Sequence, residues 1–214
     1  SIERTGTGIA PNDHTTSASD SITLNTTATI KLQPAPTQYT IGDAITYNIL
    51  VTLTEGTIQD MVVFDNLPDG LAYQSHTIIT TTTATGSLLT AGYSGSVLSP
   101  TLTNAGGSGD DVTLDFGTIT TTGDNDATNN TYQVQITAVV LNDNVNQQGD
   151  TLTNSAELRY TDANATPQTV SGGSVNITII EPQITTVKTV TPTTSIEAGD
   201  TVTYTVTFTN TGDS

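Results

Sequence analysis

Most of the side chains able to do chemistry in this chain are oxygen donors, and they fall in three groups. Asp110 and Asp111 sit together, Asp124, Asn125 and Asp126 follow, and Asp143, Asn144 and Asp150 form the third. Hard oxygen ligands on loops suit Ca2+, and in a β-sandwich the loops at one end can converge. The expected metal ligands are therefore Asp110, Asp111, Asp124, Asp126 and Asp143, with Asp124 to Asp126 foremost, although no EF-hand spacing is present. The plainer expectation is that these Asp, Asn and Gly residues are turn formers. Lys31 is one of only two lysines, Asp65 stands in VVFDNLP, and Asn154 stands in TLTNSAEL. Taken separately, Lys31 would snorkel or pair at a sheet rim. Asp65 would cap the turn that follows it, and Asn154 would bond a neighbouring loop backbone. His14 and His76 are too few for a metal cluster or a catalytic base. Asn25, Asn129, Asn164 and Asn176 fall in Asn-x-Thr sequons that glycans could occupy, a pattern a Thr-rich chain also produces by chance.

No Gly-x-Ser-x-Gly, phosphate-binding loop or aligned carboxylate pair is found, so no enzyme is expected. The chain of 214 residues carries 21 acidic and 4 basic residues, a net charge of −17. Nucleic acids and anionic membrane surfaces are disfavoured as partners. Divalent cations are favoured, and solubility through mutual repulsion is the simpler use of the charge. Cysteine is absent, so no disulfide can staple the fold. No apolar run approaches a membrane span, and the opening SIERTGTG carries no signal-peptide pattern. The expectation is a chain processed at its start, or an internal fragment.

The elements that must position these residues are strands. Threonine is the commonest residue, and β-branched side chains lose least in extended backbone. Strand patterns run through 22–32, 44–53, 61–68, 71–80, 111–120, 131–141, 151–162 and 174–180, with two short strands expected in the glycine-broken 87–100. No helix of useful length is predicted. About nine strands with short turns give an all-β, immunoglobulin-like Greek-key sandwich. Residues 1–21 read as a linker or N-terminal strand.

The segment 187–214 realigns with 30–57 without gaps at an offset of 157. Lys31 meets Lys188, Gly42-Asp43 meet Gly199-Asp200, and Tyr47 meets Tyr204. Residues 22–180 are thus expected to be one complete repeat. Residues 181–214 would open a second repeat, or serve as donor strands for a neighbouring subunit.

VKTVTP with AGDTVTYTVTFTNTGD, then VVFDNLPDGLAY, LDFGTI and TLTNSAEL, resemble the DUF11-type repeat of bacterial and archaeal cell-surface proteins. That resemblance covers about 28–180 and again 184–214. It implies an immunoglobulin-like extracellular module of a stalk or filament, with neighbouring repeats or identical subunits as partners. The alternative is an adhesin-type module recognising a glycan or protein, with Tyr73, Tyr93 and Tyr132 as candidate contributors; Tyr132 alternates with Val134 and Ile136 and reads as core.

The order Lys, acid, Asn also resembles fimbrial and adhesin domains that form a Lys–Asn isopeptide bond. The resemblance implies Lys31 as nucleophile, Asn154 as electrophile and Asp65 as the proton-handling acid. Burial disfavours charge on both lysine and aspartate, which favours the forms that such a reaction needs. Fixed apposition in a core replaces a bimolecular encounter.

Overall fold

The chain forms the strands its alternation demands, and the computed structural model shows which faces meet. It describes residues 28–32 and 36–212 except Leu98 and Ala163, with 28–32 described in backbone course and pairing. The expected linker 1–21, with His14, and Asn25 lie outside the described residues. In chain order the strands are β1 (Ala28–Leu32), β2 (Gln38–Tyr39), β3 (Ala44–Thr52), β4 (Gly56–Asn66) and β5 (Leu71–Ile79). Then come β6 (Gly95–Ser96), β7 (Thr101–Asn104), β8 (Val112–Thr121), β9 (Thr131–Val140), β10 (Thr151–Thr161), β11 (Pro167–Ile179), β12 (Ile184–Thr191) and β13 (Thr203–Asn210).

Two sheets make the sandwich. One has the order β1-β3-β9-β5, and the other runs β2-β11-β10-β4-β8-β6 with β7 also on β8. All pairs are antiparallel except β2 on β11. The core lies between the sheets. Ile45, Tyr47, Ile49 and Val51 of β3 and Tyr132, Val134, Ile136 and Ala138 of β9 face Met61, Val63, Leu114, Leu158 and Ile177 across it, all buried. At about 25 cal/mol per Å2, this apolar burial is the main stabilising contribution in a chain without disulfides.

Three stretches depart from the alternation. β4 begins at Gly56, ahead of the expected 61, because Asp60 takes φ 51° and the pairing with β8 skips between Ile58 and Met61. A bulge there lets Ile58 and Met61, three apart, both turn inward. β11 starts at Pro167 rather than 174, in a half that is exposed or half-exposed and so lacks an apolar signature. Within 87–100 the one strand among the described residues is Gly95–Ser96. There a side chain replaces the ladder. Gln133, fully buried on β9, accepts from Leu88 N at 2.8 Å and donates to Gly86 O at 3.0 Å and Asn48 Oδ1 at 2.8 Å.

β12 and β13 form a separate two-stranded sheet. Its register repeats that of β1 on β3. Lys31 pairs with Ile49 and Lys188 with Val206, and each of the five β1–β3 pairs recurs in β12–β13 at the offset of 157. The turn ahead of the second strand recurs too. Gly42 has φ 91° and Gly199 φ 99°. Thr40 N donates to Asp43 Oδ2 at 2.7 Å, and Glu197 N to Asp200 Oδ2 at 2.7 Å.

Candidate functional site

Asp65 and Asn154 meet in the middle of the second sheet. β4 and β10 pair so that Asp65 lies opposite Ala156. Asn154 is two residues along β10 on the same face, which makes it the diagonal neighbour of Asp65. Both side chains are 0% exposed, and Asn154 Nδ2 donates to Asp65 Oδ2 at 3.2 Å. Asn154 Oδ1 is buried with no hydrogen-bond partner among the described residues. Asp65 therefore sits inside β4 rather than capping the turn after it, and Asn154 bonds a side chain rather than a loop backbone. A buried polar pair in an apolar layer is costly unless its hydrogen bonds are made, so its presence points to use.

Lys31 belongs to β1, at the edge of the facing sheet, in register with the buried Ile49. β1 comes within 8 Å of β10 and β11 between Cα atoms, so it closes one seam of the sandwich beside the strand that carries Asn154. The Lys31 side chain lies outside the described residues.

Tyr47 joins the site from the opposite sheet. Burial pushes its hydroxyl far above the ordinary tyrosine range, the Asp65 carboxyl and then Tyr39 push the same way, and the nearby Asn154 amide offsets part of the shift. The ring is fully buried between the sheets, near enough to Asp65 for the carboxyl to act on its hydroxyl. Alternation marked Tyr47 as core, but only the pairing of the two sheets places it at this site. Tyr132 is raised likewise, chiefly by burial and then by Tyr93. Both hydroxyls stay protonated in the fold while the unfolded chain ionises near its ordinary 10.0. Stability is therefore intact below pH 10 and falls above it, by about 1.4 kcal/mol per pH unit for each tyrosine. Circular dichroism and tyrosinate absorbance should show cooperative alkaline unfolding in which these two ionise only as the fold is lost. Tyr47→Phe should shallow the dependence.

The expected calcium ligands are not brought to one place. Asp110 and Asp111 precede β8, whereas Asp124 and Asp126 follow it. A strand of that length separates its ends by about 30 Å. Asp143 follows β9 and so falls at the Asp110 end, where Leu141 N donates to Gly70 O and Gly109 N to Leu71 O. No group of three or more His, Cys, Asp or Glu placed to hold a metal is found among the described residues. The carboxylates bond backbone instead. Asp110 takes Gly107 N, Asp124 takes Asp126 N at 3.0 Å, Asp126 takes Thr128 N at 2.9 Å, and Asp143 takes Val145 N at 3.4 Å. Backbone and Asn129 hydrogen bonds hold Asp124 below the usual carboxylate range.

Of the sequons, Asn164 stands exposed in the turn before β11 and Asn176 on the outer face of β11, where its Oδ1 accepts from Thr153. Asn129 is tied to Asp124 Oδ2 at 3.0 Å. Tyr73 and Tyr93 are half-buried and engaged. Tyr73 bonds His76 Nδ1 at 2.7 Å, and Tyr93 bonds Thr120 O at 2.9 Å and packs edge-on to Tyr132, which is core.

No family model matches the chain, and no curated protein does. Among solved structures it is similar to the major pilin subunit of Bacillus cereus, at 16% identity and a TM-score of 0.47, over 75% of this chain and 42% of that one. It is similar to the N-terminal domain of a Streptococcus gordonii adhesin, at 10% identity and 0.42, over 71% and 32%. A cohesin module of a Clostridium perfringens family 33 glycoside hydrolase matches at 8% and 0.42, over 72% and 98%. The chain spans about half of the first pilin chain it matches, 52%, and 42% of the second. Likenesses this distant decide nothing about the site.

Proposed function

We propose that this chain is a structural module of an extracellular stalk or filament, tied internally by a covalent bond between Lys31 and Asn154. The observation that carries this reading is the buried pair in which Asp65 Oδ2 already sits 3.2 Å from Asn154 Nδ2, the atom that would leave. The neutral Lys31 amine attacks Asn154 Cγ while protonated Asp65 polarises the carbonyl, lending its proton to the oxygen and taking one from the amine; the oxygen's proton returns to Asp65 as the carbonyl re-forms. Asp65 then protonates Nδ2, which departs as ammonia, leaving an amide between the two side chains. No oxidant or cofactor is consumed. Closeness in a rigid core supplies the rate. In a chain with no cysteine, such a bond would tie the edge strand β1 to the centre of the opposite sheet, which suits a module that bears load. The resemblance to DUF11-type surface repeats and the acidic composition fit the same setting.

Intact mass of the purified chain tests this directly. A deficit of about 17 Da, the mass of one ammonia, is expected; it should vanish in Lys31→Ala, in Asn154→Ala and in Asp65→Ala. A mass equal to that of the sequence would overturn the crosslink. Added mass in sugar-sized steps would mark occupied sequons, Asn164 and Asn176 being exposed.

A further inference from the structure

The β12–β13 hairpin shows an apolar face that no other strand covers among the described residues. Tyr204 is 63% exposed, Val206 45% and Phe208 70%. At the offset of 157 their counterparts are Tyr47, Ile49 and Val51, each 0% exposed beneath the opposite sheet. Ile196, 48% exposed, corresponds to Tyr39 at 6%. Strand register and turn are the same in both places, so the two hairpins differ in what covers them and not in how they are built. In the first hairpin, β3 is flanked by β9, with Tyr47 opposite Ile136 and Ile49 opposite Val134. A lone two-stranded hairpin is marginal in water, and one holding this much apolar surface is an unfilled interface.

We propose that this face receives a polypeptide segment built like residues 58–180 of this chain and lacking an opening hairpin of its own. Its β9-like strand would pair antiparallel along β13, and its second sheet would close over Tyr204, Val206 and Phe208. Lys188 sets a further requirement. Its Nζ lies 4.7 Å from the centre of the Tyr204 ring, on the face to be covered. A covered cation needs a carboxyl, so the incoming layer carries an acid where this repeat carries Asp65.

A second copy of this chain is a poor occupant. Its β9 is already flanked by β3 and β5. Seating a foreign hairpin there would expel β1 and β3, exposing Ile45, Tyr47, Ile49 and Val51 to cover their counterparts. The exchange buries about as much apolar surface as it exposes and still costs association entropy.

The test extends the full chain by repeating residues 58–180 directly after Ser214, which preserves the offset. Amide hydrogen exchange is read over 203–210 by mass spectrometry. Exchange there should slow by about 100-fold or more relative to the 214-residue chain, with 44–52 unchanged. Val206→Asp should abolish the gain. Unchanged exchange over 203–210 would overturn the proposal, as would protection that survives Val206→Asp. So would a dimer of the unextended chain, seen by sedimentation, with 203–210 protected and 44–52 exposed, because that is exchange between copies. None of these readouts depends on the Lys31–Asn154 bond, so the two readings fail separately.

Discussion

Asn154→Ala and Lys31→Ala should each lower stability by about 5 kcal/mol, and the double variant should be little worse than either. The proposed bond would close a loop of about 120 residues, and a crosslink over such a loop removes about 5 kcal/mol of unfolded-chain entropy in the chain-entropy model. For a domain of this size that corresponds to roughly 10–20 °C in Tm. The double-mutant cycle separates the cases. A noncovalent polar cluster couples by about 0.5–3 kcal/mol, whereas a shared covalent bond couples by nearly its whole value. Urea unfolding of the four chains measures this. Lys31→Arg keeps the cation but blocks the amide, so like Lys31→Ala it should show its full sequence mass, with no ammonia lost, and fall near it in stability. Coupling below about 1 kcal/mol would mean that the sandwich stands without the tie.

The strands that alternate without interruption were legible from side-chain pattern alone. β3 and β9 fall within a residue of the expected 44–53 and 131–141, because both put every second residue into one core. The bulge at Asp60 hid the first half of β4 by breaking the period of two. The stretch around 87–94 was misread because Gln133, on a distant strand, supplies hydrogen bonds that a ladder would otherwise supply. At the site, Asp65 and Asn154 could be picked out because their order after Lys31 resembles that of isopeptide-forming domains, and the buried positions they take in β4 and β10 bring them together. Tyr47 could not, since its position depends on how two sheets stack rather than on anything local. The separation of the expected calcium ligands was hidden for the same reason. Spacing along the chain groups Asp110 with Asp124, while the strand between them sends the two loops to opposite ends.

Gly70→Ala should cost about 3–5 kcal/mol, and Asn146 is the reason. Gly70 closes the turn LPDG between β4, which carries Asp65, and β5 in the facing sheet. Its φ is +92°, and a Cβ there would lie 2.1 Å from Asn146 Oδ1 and 2.8 Å from its Nδ2. The left-handed backbone alone costs an alanine about 1–2 kcal/mol. Asn146 cannot yield cheaply, because it is fully buried and its Nδ2 donates to Gly70 O and Leu141 O, both at 2.8 Å. Moving it breaks two buried hydrogen bonds. The turn is also held from the other side, where Gly70 N donates to Ser108 Oγ at 2.7 Å. Gly70→Ala combined with Asn146→Ala should therefore be only about 1–2 kcal/mol worse than Asn146→Ala alone, since the collision is gone and the backbone strain remains. Urea midpoints for the three variants decide it. If Gly70→Ala alone costs less than about 1 kcal/mol, Asn146 turns aside freely, and the crossover that fixes Asp65 against Tyr47 is held by core packing instead.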